Sequence, residues 1–410
     1  MKILHISTYD FGGAGLAALN LHKSLLNAGI ESKMLVMQKK SDLNSVFTAD
    51  KSANLVFNYS SCLPIKFVQK IFRKIGFFKT RYETIRDKYS KFINSGIASA
   101  YYTFPVSEYD LSQNPLVKEA DIVHIHWVAN FLDFESFFKN LNKPLVWTFH
   151  DINPMYGGFH YQNDIRVLYP LYKDFEDFFY DLKCNSVINY KNLSFVAISN
   201  QMEQTMRDST ISKGKNIFRI PIGINCNLFK PVDKLIAKAA LNICHKKVFL
   251  FISNYLTDPN KGLKIAVDAL EKLNVPDLLF ICIGNGQLNM SSIISCRRYE
   301  SMQLSLLPLF YSCADLYINA SSQESFGQTV VESLMCGTPV VSFPVGIAPD
   351  IINAANGILC HDFTVESLID SIQAALNVNF NSHIIRQSAI DIFDLPKISN
   401  SYIDLYRSLM

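Results

Sequence analysis

Ser322-Gln-Glu324-Ser-Phe326-Gly327-Gln-Thr-Val-Val-Glu332-Ser-Leu-Met-Cys-Gly337-Thr-Pro339 decides how the chain is read. An apolar strand at 315–319 runs into it, and Val340 and Val341 lie in a second strand at 339–343. Between the two lie a polar loop, a helix-length amphipathic segment and a Gly-Thr-Pro stop, since proline cannot continue a helix. Strand, crossover helix and strand in that order make a parallel pair. The same alternation extends outward. It predicts strands at 277–283 and 247–253, then a second group at 194–198, 144–149, 121–126, 32–37 and 2–7. Two such groups predict two doubly wound α/β domains, joined near 220–233, where Pro221, Gly223 and Pro231 punctuate the chain.

Length and composition agree with that reading. The 410 residues suit two domains, and a chain 49% hydrophobic and only 18% charged can bury large cores, which excludes disordered and disulfide-stapled classes. The longest apolar run, 278–283, has six residues against about 18 needed to span a bilayer. Residues 2–7 read as a strand entering a glycine turn, not as the apolar core of a signal peptide. Nine cysteines (62, 184, 226, 244, 282, 296, 313, 336 and 360) are odd in number and never spaced CxxC. They are expected to be reduced core thiols of a cytoplasmic protein, with no zinc site. The net charge of +3 is too small to imply nucleic acid, but it is uneven: residues 65–92 hold nine Lys/Arg and two acids, net +7, leaving −4 elsewhere.

Polar residues follow the predicted strands: Gly12 to Gly15, His126, His150, Asn254, Gly284 to Gly286, Glu324 and Gly346. Open parallel sheets bind ligands at the carboxyl ends of their strands, so each domain is expected to carry its functional loops along one edge, the two edges facing across a cleft. Glu324 and Glu332 would lie about 12 Å apart on a continuous helix. Carboxylates accept hydrogen bonds from paired hydroxyls such as those of ribose and hexose. Lys261-Gly262 precedes a predicted helix at 263–273, placing a cation beside free helix amides. Near the N-terminus, Gly13-Ala-Gly15-Leu-Ala-Ala18 fits the loose dinucleotide fingerprint GxGxxA ahead of a helix expected over 16–28. The acid that should hold a ribose is replaced by Gln38-Lys39-Lys40, which leaves open an NADP site or a plain structural turn. His124, His126, His150 and His160 gather in the first half, with His124 and His126 on one strand face. No carboxylate or cysteine completes a tight ligand set, and no metal is expected.

The segment from Glu324 to Glu332 resembles the ExFGxxxxE signature of retaining GT-B glycosyltransferases, specifically family four. The resemblance spans nearly the whole chain and is tightest over 311–350. It implies a GT-B fold, two Rossmann-like domains facing across a cleft: an acceptor-binding domain over 1–225, a nucleotide-sugar-binding domain over 226–388, and a C-terminal helix over 389–410 that crosses back, with Tyr402 and Tyr406 on one face. By the same resemblance Glu332 holds the donor ribose, Glu324 lies against the sugar hydroxyls, and the Phe326-Gly327 amides help bind the sugar. Gly284 and Gly13 fall on the donor side, His150 contacts the donor sugar near the reacting centre, and His126 and Gly15 face the acceptor. Lys261 matches the family's diphosphate-binding lysine, whereas its partner arginine is not matched at Asn254-Tyr255-Leu256. Ile220-Pro221-Ile222-Gly223-Ile224-Asn225 departs from the family's Ile-Pro-Asn-Gly-Val-Asp, keeping Gly223 as a turn.

Residues 65–92 place Val68, Ile71, Phe72, Ile75, Phe78, Tyr82, Ile85, Tyr89 and Phe92 at helical spacing between basic residues. Such a helix lies on an anionic membrane or packs its stripe into the domain; both readings are open. The combined expectation is a metal-independent retaining transferase on the inner face of the cytoplasmic membrane or free in the cytoplasm. It needs no cofactor beyond a nucleoside-diphosphate sugar, and its acceptor is a saccharide or lipid-linked saccharide in capsule, O-antigen or exopolysaccharide synthesis. The leaving phosphate assists deprotonation of the acceptor, so no enzyme nucleophile is expected. The rivals are a non-catalytic GT-B binding module, favoured by the missing arginine, and an NADP-dependent oxidoreductase.

Overall fold

The computed structural model describes residues 1–51, 80–96, 101–287 and 294–410. Contacts divide the chain into two units. One is Met1–Ala197, Glu203–Phe218 and Leu405–Met410; the other is Ile198–Met202 and Arg219–Asp404.

The first unit is built on a seven-stranded sheet, with β1 (Lys2–Tyr9), β2 (Glu31–Gln38), β3 (Val46–Thr48), β4 (Ile122–Ile125), β5 (Leu145–Thr148), β6 (Leu193–Ala197) and β7 (Asn216–Arg219) in the order β3-β2-β1-β4-β5-β6-β7. Pairings from β3 across to β6 are parallel, with His5 opposite His124 in register. The second unit repeats the plan with six strands: β8 (Lys247–Tyr255), β9 (Leu278–Asn285), β10 (Ser295–Tyr299), β11 (Leu316–Asn319), β12 (Val340–Ser342) and β13 (Gly357–Leu359). Their order is β10-β9-β8-β11-β12-β13, parallel throughout. In each sheet the order in which strands are added reverses once, between β1 and β4 and between β8 and β11. Such a switch point opens a crevice beyond the carboxyl ends of the two diverging strands.

The central strands are buried on both faces, which is why they read as continuous apolar runs. Seven consecutive residues of β9, Leu278 to Gly284, are buried, and Phe249, Phe251, Phe280, Ile318 and Val341 share one core. The strands absent from the sequence reading are short or edge elements. β7 is mostly exposed and β10 reads Ser-Cys-Arg-Arg-Tyr, so neither carries the apolar run by which a buried strand announces itself. The first helix, Gly12–Asn27, opens four residues before its expected start, so residues 12–15 are its first turn and not a loop. Gly15 is required there, because a Cβ would stand 2.6 Å from the Tyr9 carbonyl oxygen at the end of β1.

The basic stripe resolves in part. A helix runs over Arg81–Asn94, started by Thr80 and Glu83 as a reciprocal capping box. Tyr82, Ile85, Tyr89 and Phe92 pack against a cluster containing Tyr102, Phe104, Tyr172 and Phe175, so this half of the stripe is covered by the protein itself. Val68, Ile71, Phe72, Ile75 and Phe78 lie outside the described residues. The eight described cysteines are free thiols, but not all are core residues, since Cys244 is exposed. Among the described residues no helix is long and apolar enough to cross a membrane. The chain closes with helices Ser382–Phe393 and Leu395–Ser408, and Tyr406 is wholly buried.

Candidate active site

At the switch point of the second sheet, the loops after β8 and β11 meet. Lys261 comes from the first and Glu324 from the second, and their side chains form an ion pair with Nζ 2.7 Å from Oε1. Ser321 Oγ donates to the same carboxylate oxygen at 3.0 Å. The loops are stitched by the Ser322 amide donating to the Asn260 carbonyl at 2.9 Å. They approach so closely that Gly262, with φ of 71°, has no room for a side chain: a Cβ would lie 1.9 Å from the Ala320 carbonyl oxygen. The helix Leu263–Leu273 follows at once, and no side chain caps its start.

Glu324 and Glu332 do not share a helix. The helix Gln328–Met335 begins after Gly327, which is left-handed at φ 86°, so Glu324 belongs to the loop and the 12 Å estimate does not apply. Glu332 is buried on that helix and accepts a 2.8 Å hydrogen bond from the Tyr311 hydroxyl. Burial pushes its carboxyl up to about 7, against the opposing pull of the Tyr311 bond. Thr338 Oγ1 donates to the Tyr311 carbonyl at 2.7 Å, and Ser333 Oγ donates to the Thr338 carbonyl at 3.0 Å. The Gly-Thr-Pro stop therefore also fixes the tyrosine that touches Glu332. The Phe326 side chain is core, its ring edge-on to Phe393 at 6.0 Å, while its carbonyl accepts from the Ile347 amide at 2.7 Å. Gly346 is left-handed and would carry a Cβ 2.5 Å from that carbonyl oxygen. Gly284 has a packing reason of its own, since a Cβ there would stand 2.0 Å from the Ser253 carbonyl oxygen of the neighbouring strand.

In the first unit the corresponding edge holds a histidine chain. His5 Nδ1 on β1 lies 2.9 Å from His126 Nε2, and His126 Nδ1 lies 3.1 Å from His150 Nε2 just beyond β5. His124 stands beside them with Nδ1 on the Tyr406 hydroxyl at 2.7 Å and Nε2 on Thr148 Oγ1 at 2.8 Å. Burial holds His5, His124 and His126 well below the usual imidazole range and His150 at about 4, so all four are neutral at pH 7. His126 is buried and both its nitrogens are engaged within the protein. Gly15 is buried against the Tyr9 carbonyl, whereas Gly13 is exposed in the first helical turn. His160 stands apart from the chain, bonded through Nδ1 to Asp151 at 2.6 Å and through Nε2 to Thr103 at 2.8 Å. Asp151 also accepts from Trp127 Nε1 at 2.7 Å, and the partly exposed Tyr101 ring lies parallel to Trp127.

His5, His124 and His126 each bring one nitrogen within 4.8 Å of the others, the one group among the described residues with the spacing of a metal-ligand set. Five of their six nitrogens, all but His5 Nε2, already make short hydrogen bonds, and a metal ion would have to break two or more of these. The lysines of the dinucleotide alternative are engaged too. Lys40 Nζ lies 4.0 Å above the Phe11 ring and Lys39 Nζ donates to the Leu43 carbonyl at 2.7 Å. Asp10 meanwhile ties down the Lys40 and Ser41 amides at 2.8 and 2.9 Å.

Residues 246–377 match the family model described as Glycosyl transferases group 1. Among solved structures, the chain superposes along its full length on HepE from Anabaena, determined in complex with UDP and glucose, with a TM-score of 0.62 and 17% identity over 100% of both chains. The fold is that of the GT-B glycosyltransferases. WaaG, a glycosyltransferase involved in lipopolysaccharide biosynthesis, is a second GT-B neighbour, with a TM-score of 0.59 and 14% identity over 98% of this chain and 99% of that one. A curated relative is the GPI3 subunit of the phosphatidylinositol N-acetylglucosaminyltransferase of Saccharomyces cerevisiae (strain YJM789). It is 22% identical over 334 residues, covering 75% of this chain and 68% of the yeast protein. Within the GT-B frame, the matched segment contains both switch-point loops, Lys261, Glu324 and Glu332.

Tyr311, Ser321 and His5, which touch the candidate residues Glu332, Glu324 and His126, are those that sequence reasoning missed. Tyr311 is 21 positions from Glu332 and reaches it only through the packing of its helix. A signal for His5 did exist: in a 3-2-1-4 strand order β1 lies against β4, which sets residue 5 beside residue 124.

Proposed function

We propose that the chain is a retaining glycosyltransferase that moves a sugar from a nucleoside-diphosphate sugar to a saccharide or lipid-linked saccharide, without a catalytic metal. The observation that carries this reading is the grouping at one switch point of a cation, Lys261, paired with a carboxylate, Glu324, beside an uncapped helix start. A diphosphate entering there competes with Glu324 for the lysine. Taking Lys261 from the pair, it frees the Glu324 carboxylate to accept hydrogen bonds from sugar hydroxyls. Binding thus converts one internal ion pair into two ligand contacts. The ammonium is then beside the leaving phosphate as its negative charge grows, where it is worth more in the transition state than in the ground state. Glu332 holds the ribose hydroxyls, and Tyr311 orients its carboxylate.

The leaving phosphate oxygen takes the acceptor proton on the same face of the sugar, through an oxocarbenium-like transition state, as for other glycosyl chemistry. His150 is proposed as a further contact to the donor sugar. The acceptor belongs to assembly of a surface polysaccharide, a reading that the WaaG likeness supports. The 65–92 segment is proposed as a peripheral membrane contact; its apolar stripe over 82–92 is packed internally, and the residues before Thr80 lie outside the described residues.

Thermal shift of the full chain against UDP, GDP, ADP, TDP, CMP and NADP tests the reading. Stabilisation by one nucleoside diphosphate, lost in Glu332→Ala, supports it. A response to NADP alone would replace it with the oxidoreductase, and silence to all six with a non-catalytic binding module.

A further inference from the structure

The two contacts of the histidine chain are not independent. A neutral imidazole carries one N–H, and each contact needs one donor and one acceptor. If His126 is protonated on Nδ1, its Nε2 must accept from His5 Nδ1–H and its Nδ1–H must be given to His150 Nε2. The proton of His150 is then on Nδ1. If His126 is protonated on Nε2, everything reverses, and His5 must carry its proton on Nε2. Only these two concerted states keep both bonds.

The end of the chain chooses between them. His5 Nε2 is buried and without a hydrogen-bond partner among the described residues. In the second state it is an orphaned N–H in the core; in the first it is only a bare lone pair. Orphaned buried N–H groups are the rarer and costlier case. We infer that His126 is a positioning residue that holds His150 as the Nδ1–H tautomer, so that His150 offers its ligand a hydrogen-bond donor and not a base. Neutrality of all three rings, required for the one-proton count, follows from their burial. His150 Nδ1 is the nitrogen left outside the chain, on a residue that is only partly buried at the carboxyl edge of the sheet. Its partner is therefore an acceptor oxygen. In the proposed reaction, on which this assignment of a ligand rests, that oxygen belongs to the donor sugar, and His150 takes no part in deprotonating the acceptor.

The test is a long-range ¹H–¹⁵N correlation spectrum of the full chain labelled at histidine, with signals assigned by His5→Asn, His126→Asn and His150→Asn. Nδ1–H patterns for His5, His126 and His150 are expected. An Nε2–H pattern or an imidazolium at His150 overturns the inference. So does a change at His5 and His126 on adding Zn²⁺ or EDTA, since the cluster would then be a metal site. His126→Leu should release His150 towards the Nε2–H form. His126→Asn, whose amide N–H replaces the lost donor, should keep it on Nδ1–H and retain more activity by roughly tenfold. A His150 that stays purely Nδ1–H in a folded His126→Leu overturns the positioning role; if that variant does not fold, the unsubstituted chain's spectrum still decides. Titration with UDP-glucose separates the two claims. An Nδ1–H His150 whose signals ignore the nucleotide sugar upholds the tautomer and counts against the transferase reading.

Discussion

Glu332→Gln should make the second unit more stable, and increasingly so as the pH rises. The wild-type carboxyl titrates near 4.5 when unfolded and at about 7 when buried beside Tyr311. Between those values the native protein holds a proton that the unfolded chain releases, so the stability it contributes is complete below 4.5 and is lost as the pH climbs through 7. By pH 8.5 the buried carboxylate costs about 3 kcal/mol, against somewhat under 1 kcal/mol at pH 5. The glutamine has the same shape, can accept from the Tyr311 hydroxyl, and carries no charge to desolvate. The stability advantage of the variant should therefore grow by about 2.5 kcal/mol between pH 5 and pH 8.5, roughly 5–10 °C in the melting of a unit this size. Calorimetric melts of both proteins across that range provide the measurement, with the second unit's transition identified by its response to nucleotide in the wild type. Parallel pH profiles for the two proteins would show that Glu332 is not held protonated by burial. A variant that is less stable at every pH would mean that its carboxylate has partners worth more than the desolvation it suffers. A stabilised variant that no longer responds to nucleoside diphosphate would identify Glu332 as a carboxylate kept at a cost to stability for the ligand's sake.

Other consequences follow from the same geometry. Lys261→Ala should lower kcat by ten- to a hundredfold with a smaller change in donor affinity, because the ammonium acts mainly on charge that develops at the leaving phosphate; equal kinetics would remove it from the site. Gly262→Ala should destabilise the second unit by more than about 2 kcal/mol and weaken nucleotide binding, since both the left-handed φ and the 1.9 Å approach to the Ala320 carbonyl forbid a side chain; an unchanged melting temperature would refute the packing argument. Tyr311→Phe removes a hydrogen bond that favours the Glu332 carboxylate, so the pH midpoint of nucleotide binding should move upward; binding profiles from pH 6 to 9 measure it.

Much of the site was legible because its chemistry is local. Lys261-Gly262 ahead of a helix, and Phe326-Gly327 ahead of another, are short-range turn signals, and both helices begin where those signals place them. The buried strands were equally plain, since a strand covered on both faces must be apolar throughout. Edge strands such as β7 and β10 were not, because an exposed or short strand draws its stability from a neighbour and carries no pattern of its own. The glycines divide in the same way. A left-handed Gly262 follows from its turn, but the reason that Gly15, Gly284 and Gly346 tolerate no side chain is a carbonyl oxygen on another segment.

The amino-acid sequence by itself determined two parallel α/β domains and the residue types at each switch point, because periodicity, turn residues and burial act within about twenty positions of chain. Tertiary structure alone decided what those residues do to one another. It paired Lys261 with Glu324 across 63 positions and set His124 against Tyr406 across 282. It also buried Glu332 far enough to raise its carboxyl to about 7 and joined His5, His126 and His150 into one chain of bonds. Charge state and tautomer depend on desolvation and on partners within a few ångströms, and which atoms come that close is settled only when the strands choose their neighbours.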